Sequence, residues 1–136
     1  MDLPRISIVM DLQIGIKGQA SWQVTPEVTA DRVGSGGLAV FATPMMIALI
    51  EKTCYDSVQP YLAEGQGTVG TRVEVSHVAA TPVGKTVTAE SELVEIDRRR
   101  LVFRVSAHDD RGLIGEGTHE RFIIDIDRFL AKTYGK

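Results

Sequence analysis

Residues 41–51 read Phe-Ala-Thr-Pro-Met-Met-Ile-Ala-Leu-Ile-Glu, and they predict the central element of the domain. Thr43 is of a type that caps helices, and Pro44 follows at the first helical position, where a missing N–H is tolerated. The stretch therefore predicts a helix to about Val58, with Thr43 as its N-cap. Residues 45–50 are apolar on every face, so we expect the first turns of this helix to be enclosed rather than exposed.

The sequence after Gly67 predicts strands. Residues that are β-branched alternate with polar ones in four segments, residues 69–78, 86–94, 101–107 and 114–126. Short turn sequences at residues 97–99 and 109–112 are typical of antiparallel hairpins. We also expect a strand at residues 20–24 and a short helix at residues 127–134.

This order of elements predicts an α+β fold. One central helix precedes four antiparallel strands, and no βαβ alternation indicates a parallel sheet. An antiparallel sheet wrapped around the helix would cover an apolar surface that has no other partner. We expect residues 1–136 to form a single domain, because a chain of 136 residues with 43% hydrophobic side chains can bury a core of its own.

The overall composition argues against several classes of protein. The net charge is −3, so no basic surplus is available for nucleic acid or an anionic membrane. Asp11 and Gln13 interrupt the apolar segment at residues 5–16, and no run reaches the roughly 20 residues of a spanning helix. The single Cys54 cannot form an internal disulfide, which suits a reducing cytoplasm. We expect a cytoplasmic protein that binds neither nucleic acid nor membranes.

Glu51 is the first candidate for chemistry. It follows the apolar residues 45–50 on a helix whose neighbouring positions are non-polar. Burying a carboxylate there costs free energy unless the carboxylate is paired with another group or has a function, for example as a general base. The alternative is that Glu51 points outward beside Lys52 and solvates the helix.

His77 is the second candidate. In its predicted strand, alternation places it on the same face as Val73 and Val75, which we expect to be the core side. A lone histidine on such a face is more often a satisfied core residue than a catalyst. His108 and His119 compete with it for a functional role.

Thr43 has both a structural and a functional interpretation. It can cap the helix, or it can lie at a helix N-terminus whose free N–H groups and dipole stabilise a carbonyl oxygen as it becomes negative. No G-x-S-x-G motif or phosphate loop occurs, and three histidines with one cysteine do not match zinc-ligand spacing. We expect neither a metal nor another cofactor.

Several motifs taken together are similar to those of one enzyme family. Besides residues 41–51 they are Gly67-Thr-Val-Gly-Thr71, Val75-Ser-His77, Ala79-Ala-Thr-Pro82, Ser106-Ala-His-Asp109 and Gly117-Thr-His-Glu-Arg121. In the same order, they resemble the fluoroacetyl-CoA thioesterase family, whose members are small hot-dog fold enzymes. The resemblance, over residues 39–130, implies a hot-dog fold, hydrolysis of an acyl-CoA or another acyl thioester, and a homodimer or dimer of dimers.

The resemblance also assigns residues. The family's threonine, glutamate and histidine fall on Thr43, Glu51 and His77, and its substrate-contacting glycine and arginine fall on Gly70 and Arg121. Whether Glu51 acts as base or nucleophile stays open. The chain departs from the family at residues 34–38, where Gly-Ser-Gly-Gly-Leu replaces a lid of phenylalanines. Selectivity for a fluoroacetyl group is therefore not expected to carry over.

Two other functions fit the same fold. One is a hydratase or dehydratase acting on acyl thioesters, although the sequence lacks a recognisable hydratase motif. The other is a non-catalytic protein that binds acyl-CoA or another apolar ligand, because a fold does not fix a function.

Helix geometry predicts that the active site is shared between two chains. At about 1.5 Å per residue, Thr43 and Glu51 on one straight helix lie roughly 12 Å apart along its axis. One thioester carbon cannot contact both. Two protomers around a dyad can instead bring Thr43 of one chain to face Glu51 of the other. The alternatives are a helix that begins later, or a purely structural role for one of the two residues.

Overall fold

A computed structural model describes residues 11–135. The strands are β1 (Lys17–Gln23), β2 (Gln66–His77), β3 (Thr86–Asp97), β4 (Arg100–Asp109) and β5 (Gly112–Asp125). The α-helices are α1 (Ala30–Val33), α2 (Thr43–Val58) and α3 (Ile126–Tyr134), and short 3₁₀ helices span Pro26–Val28 and Gln59–Tyr61. Each predicted strand and both predicted helices are therefore confirmed, with ends displaced by a few residues.

The strands form one sheet in the order β1-β3-β4-β5-β2, and every neighbouring pair is antiparallel. Register shifts, which bend strands, lie at Gly70/Arg72, Leu93/Glu95 and Ala107/His108. Helix α2 packs against β1, β2, β3 and β4. The expected α+β hot-dog arrangement, an antiparallel sheet around one central helix, is confirmed, and β2 lies at one edge of the sheet.

The core lies between α2 and the sheet. Helix α2 contributes Met46, Leu49, Ile50, Cys54 and Val58, all fully buried. The sheet contributes alternate residues from its central strands, which are Val87, Ala89, Leu93, Leu101, Phe103, Val105, Ala107 and Ile114. Alternate residues of the strands, which share a face of the sheet, and one face of the helix thus form a single apolar layer.

The opposite side of α2 is not covered by this sheet. Ile47, Ala48 and Glu51 are half-buried, and Tyr55 is 40% exposed. The expectation that the helix is enclosed on every face therefore holds on one side only within a single chain. A five-stranded sheet covers one side of a helix, and the apolar residues on the other side need a different partner.

The expected N-cap was wrong. Ala42 is the N-cap residue, Thr43 is the first helical residue, and no side chain caps the helix. The hydroxyl of Thr43 is instead hydrogen-bonded to the side chain of His77. A partner 34 residues away in the sequence has replaced the local capping interaction.

No helix within residues 11–135 is both long and apolar enough to cross a membrane. Residues 5–10 of the partly apolar segment at residues 5–16 lie outside the described residues.

The side chain of Met46 in α2 packs against β5 at Gly115. A Cβ atom there would lie 2.6 Å from Sδ of Met46 and 2.8 Å from the backbone oxygen of Ser76. We expect Gly115→Ala to lower the free energy of unfolding by about 1–3 kcal/mol, because a well-packed core resists added volume. Urea denaturation measures this change.

Gly37→Ala is the matched control, because a Cβ at Gly37 meets nothing within 4 Å. This control should stay within about 0.5 kcal/mol of the wild type. Equal stabilities of the two variants would contradict the packing role given to Gly115.

Candidate active site

Thr43 and His77 form a hydrogen-bonded pair. Thr43 begins α2 and His77 ends β2, and the distance between Oγ1 of Thr43 and Nδ1 of His77 is 2.7 Å. The fold therefore brings together two of the three residues that the sequence predicted to be catalytic. A hydroxyl bonded to an imidazole can be polarised or deprotonated by it, or can orient the ring toward a substrate.

The surroundings of His77 favour its neutral form. Burial lowers the pKa of the imidazole, so the ring stays uncharged to lower pH than a free histidine does. Its Nε2 atom is buried and has no hydrogen-bond partner among residues 11–135. A neutral imidazole bonded to the hydroxyl of Thr43 can accept a proton and later return it.

The pair lines a cavity of about 290 Å³. Ser35, Phe41 and the segment Val78–Ala80 form other parts of its wall. Leu38, in the stretch where the family enzyme has its lid, is 70% exposed. The glycine-rich loop thus contributes the small side chain of Ser35 to the cavity wall, and no aromatic ring.

Few backbone N–H groups are free at the start of α2. Pro44 has none, and those of Met45 and Met46 both donate to the oxygen of Ala42. In the described part of the chain, the N–H of Thr43 has no acceptor. The expected set of free N–H groups is therefore reduced to that of Thr43, next to its own hydroxyl.

Glu51, Gly70 and Arg121 form a second cluster. Gly70 in β2 is paired with Arg121 in β5, so both residues lie on one face of the sheet. A Cβ at Gly70 would lie 2.8 Å from Oε2 of Glu51 and 3.4 Å from Nη1 of Arg121. The absence of a side chain at Gly70 therefore leaves the space that the carboxylate occupies. The family resemblance implies a substrate contact at Gly70, and the structure adds this steric reason for glycine.

Arg121 is a buried cation. Its side chain is 8% exposed, and Nη1 lies 3.8 Å from Oε2 of Glu51, whose side chain is 42% exposed. The guanidinium also lies 5.6 Å from the ring centre of Tyr55. Burial lowers the pKa of Arg121, and the charge of Glu51 opposes that shift. Glu51 therefore does not merely solvate the helix surface, because it is the carboxylate that faces this buried charge.

The two clusters are separate within one chain. Thr43 and Glu51 are eight residues apart on α2, which corresponds to roughly 12 Å along the axis. His77 and Gly70 are seven residues apart on β2, which corresponds to roughly 23 Å along an extended strand. A single chain thus carries Thr43 with His77 in one place, and Glu51 with Gly70 and Arg121 in another.

His108 and Cys54 are not suited to the chemistry of either cluster. His108 lies near Glu90 with a distance of 3.6 Å between Nδ1 and Oε1, outside both clusters. Burial raises the pKa of Cys54 to about 12, which makes its thiol a poor nucleophile. Within residues 11–135, no three His, Cys, Asp or Glu side chains gather into a group that could hold a metal.

His119 belongs to the second cluster, although the sequence analysis gave it no role there. It is fully buried, and its ring lies beside Gly70 and Arg121. One signal was available in the sequence, because residues 119 and 121 of the same strand share a face.

Comparison with known proteins identifies similar chains. A family model described as fluoroacetyl-CoA-specific thioesterase, FlK, matches residues 24–127. The fluoroacetyl-CoA thioesterase of Streptantibioticus cattleyicolor is 50% identical over 97 residues, which cover 71% of this chain and 70% of that protein.

Solved structures agree with this match. A structure of the fluoroacetyl-CoA thioesterase FlK has a TM-score of 0.85 and 41% identity, covering 92% of this chain and 97% of that one. A mutant of FlK in complex with fluoroacetate and CoA has a TM-score of 0.82 and 40% identity, covering 87% of this chain and 99% of that one. Both described clusters lie within the matched residues 24–127.

Proposed function

The chain belongs to the fluoroacetyl-CoA-specific thioesterase family, and from that membership we propose that it is an acyl-CoA thioesterase. It adds water to the thioester carbonyl of an acyl-CoA and releases the free acid and the thiol of coenzyme A. The observation that carries the proposal is the hydrogen bond of 2.7 Å between Thr43 and His77 in the wall of a cavity. The bound CoA of a related FlK structure supports the class of substrate.

Each site residue has a role in this reaction. The N–H and hydroxyl of Thr43 stabilise the carbonyl oxygen as it becomes negative, and His77 transfers the proton to the leaving sulfur. Glu51 activates water or attacks the carbonyl itself. Arg121 holds the carboxylate of Glu51 and the acyl group in place, in the space that Gly70 leaves open. If Glu51 acts as the base, it takes the proton of the attacking water and passes it through neutral His77 to the leaving sulfur. If Glu51 attacks directly, the thiolate leaves first, and the water that then hydrolyses the acyl–enzyme anhydride supplies the proton that His77 passes to the sulfur.

The active site is composed of two chains in this proposal. Two observations support it, which are the uncovered side of α2 that carries Glu51 and the position of β2 at the sheet edge. If two β2 edges pair antiparallel around a dyad between residues 73 and 74, His77 of one chain lies opposite Gly70 of the partner subunit. The Thr43 and His77 pair of one protomer then meets the Glu51 cluster of the other, which makes two equivalent sites in a homodimer.

The first prediction concerns catalysis. We expect Glu51→Gln and His77→Ala each to lower kcat by about 100-fold or more, the range for a lost acid, base or nucleophile. Release of free thiol from acyl-CoA measures the rate, and denaturation checks that each variant is folded. Lys52→Gln is the control from the same helical turn, because Lys52 pairs with Asp56 at the surface.

A loss of kcat below about threefold in both folded variants would contradict the roles of Glu51 and His77. Saturable binding of acyl-CoA by the wild type without any thiol release would instead favour a non-catalytic binding protein.

The second prediction concerns the shared site. Thr43→Ala and Glu51→Gln chains are each expected to be inactive alone, and to recover activity when mixed under subunit exchange. In the hybrid dimer, Thr43 of the Glu51→Gln chain and Glu51 of the Thr43→Ala chain together complete one of the two sites. The activity of the hybrid dimer should therefore approach half that of the wild-type dimer. No recovery despite proven exchange would mean that each site is built within one chain.

The third prediction concerns the acyl group. Because Ser35 and glycines stand where the family enzyme has its aromatic lid, we expect thiol release from ordinary short and medium acyl-CoAs, without strong preference for fluoroacetyl-CoA over acetyl-CoA. Ser35→Phe places a ring in the wall of the cavity that Ser35 lines, and should lower kcat/KM for the longer acyl groups. A strong fluoroacetyl preference in the wild type would contradict this account.

A further inference from the structure

His119 is a polar residue in the interior of the protein. It lies on β5, and its relative exposure is 0%. Its Nδ1 atom lies 2.7 Å from the backbone oxygen of Arg72, and its Nε2 atom lies 3.1 Å from Nη1 of Arg121. Both ring nitrogens are therefore hydrogen-bonded, whereas Nε2 of His77 has no partner within residues 11–135.

The two partners determine the protonation state of His119. A carbonyl oxygen only accepts hydrogen bonds, so Nδ1 carries a hydrogen and donates it to Arg72. A guanidinium only donates, so Nε2 has no hydrogen and accepts from Arg121. The ring is consequently neutral, in the tautomer with hydrogen on Nδ1. Burial lowers the pKa of His119, and the charge of Arg121 adds to that shift, in agreement with a neutral ring.

His119 holds the end of Arg121 that faces Glu51. Thr68 binds the opposite edge of the guanidinium, since Nε donates to Oγ1 of Thr68 at 2.8 Å and Nη2 donates to its backbone oxygen at 3.0 Å. Nη1 donates a hydrogen bond to Nε2 of His119, and the same nitrogen lies 3.8 Å from Oε2 of Glu51. The two bonds to Thr68 hold one edge of the planar guanidinium, and the bond to His119 holds the edge that faces the carboxylate, so that the plane cannot tilt about the Thr68 side.

We propose that His119 is a positioning residue for thioester hydrolysis. In the neutral tautomer with hydrogen on Nδ1, Nε2 of His119 accepts a hydrogen bond from Nη1 of Arg121. The second N–H of Nη1 is then directed at Glu51 and the acyl group. This inference rests on the proposed function, because its effect on rate requires that Glu51 and Arg121 serve the reaction. His119 acts through Arg121 and does not itself contact the substrate.

A purely structural role is the competing explanation. The ring of His119 stacks on Phe103, with centroids 6.3 Å apart and an interplanar angle of 27°. If packing were its only role, replacing the ring would lower stability, and any loss of rate would be the same for different amides of similar polarity.

Two amide substitutions separate the explanations. His119→Gln places an amide oxygen near the position of Nε2, where it can accept from Arg121, and it loses the bond to Arg72. His119→Asn places an amide nitrogen near the position of Nδ1, where it can donate to Arg72, and it loses the bond to Arg121. Both variants remove the ring, so both should lower the free energy of unfolding to a similar extent.

We expect His119→Gln to retain kcat within about threefold of the wild type, and His119→Asn to lower it by roughly 100-fold, the scale for a misplaced group at an active site. The loss in His119→Asn should also vanish in an Arg121→Ala background, because residues that act as a unit are not additive. Equal values of kcat in the two amide variants, or additive losses with Arg121→Ala, would overturn the proposal.

Nitrogen NMR of the wild-type protein gives a test that needs neither turnover nor a folded variant. Two-bond correlations to the ring protons distinguish a histidine with hydrogen on Nδ1 from one with hydrogen on Nε2 or on both. Hydrogen on Nδ1 alone supports the hydrogen-bond assignment that the proposal requires, and either other state overturns the proposal. A wild type that releases no thiol from acyl-CoA, while His119 shows the Nδ1–H tautomer, would overturn the proposed function and leave the hydrogen-bond assignment intact.

Discussion

An α-helix rises about 1.5 Å per residue, so α2 holds Thr43 and Glu51 roughly 12 Å apart along its axis. The other features of the site follow from this spacing. Thr43 is hydrogen-bonded to His77, and Glu51 faces Arg121, so the start and the middle of the helix have separate sets of partners. Groups that act on one thioester carbon must lie within a few ångströms of it. A second protomer is the simplest way to bring the Glu51 cluster of one chain close to Thr43 and His77 of the other. The proposed dimer is the arrangement that this spacing favours.

The interior of the second cluster is organised around a buried charge. Arg121 donates hydrogen bonds to Thr68 and His119 from all three nitrogens of its guanidinium. A buried cation is tolerated when its hydrogen bonds are satisfied and a carboxylate lies near it. Gly70 provides the space for that carboxylate. Removing Glu51 would leave the cation without this counter-charge, so the same contacts contribute to the stability of the fold and to the proposed chemistry.

The sequence predicted the order of elements because alternation in the strands and the apolar block of α2 are local patterns. It did not predict that Ala42 caps the helix, because the hydroxyl of Thr43 bonds to a histidine 34 residues away. The uncovered side of α2 was also missed, since an apolar face does not indicate which chain covers it. The burial of Arg121 depends on the pairing of β5 with β2 and on hydrogen bonds to Thr68, which no local pattern specifies.

A hybrid dimer tests the central claim most directly. One chain is wild type, and the other carries Thr43→Ala and Glu51→Gln together, with two affinity tags to isolate the hybrid. If each site takes Thr43 from one chain and Glu51 from the other, both sites of the hybrid contain one altered residue, and thiol release from acyl-CoA should fall by about 100-fold. If each site lies within one chain, the wild-type chain would keep an intact site, and the hybrid would retain about half of the wild-type activity. That second result would contradict the account.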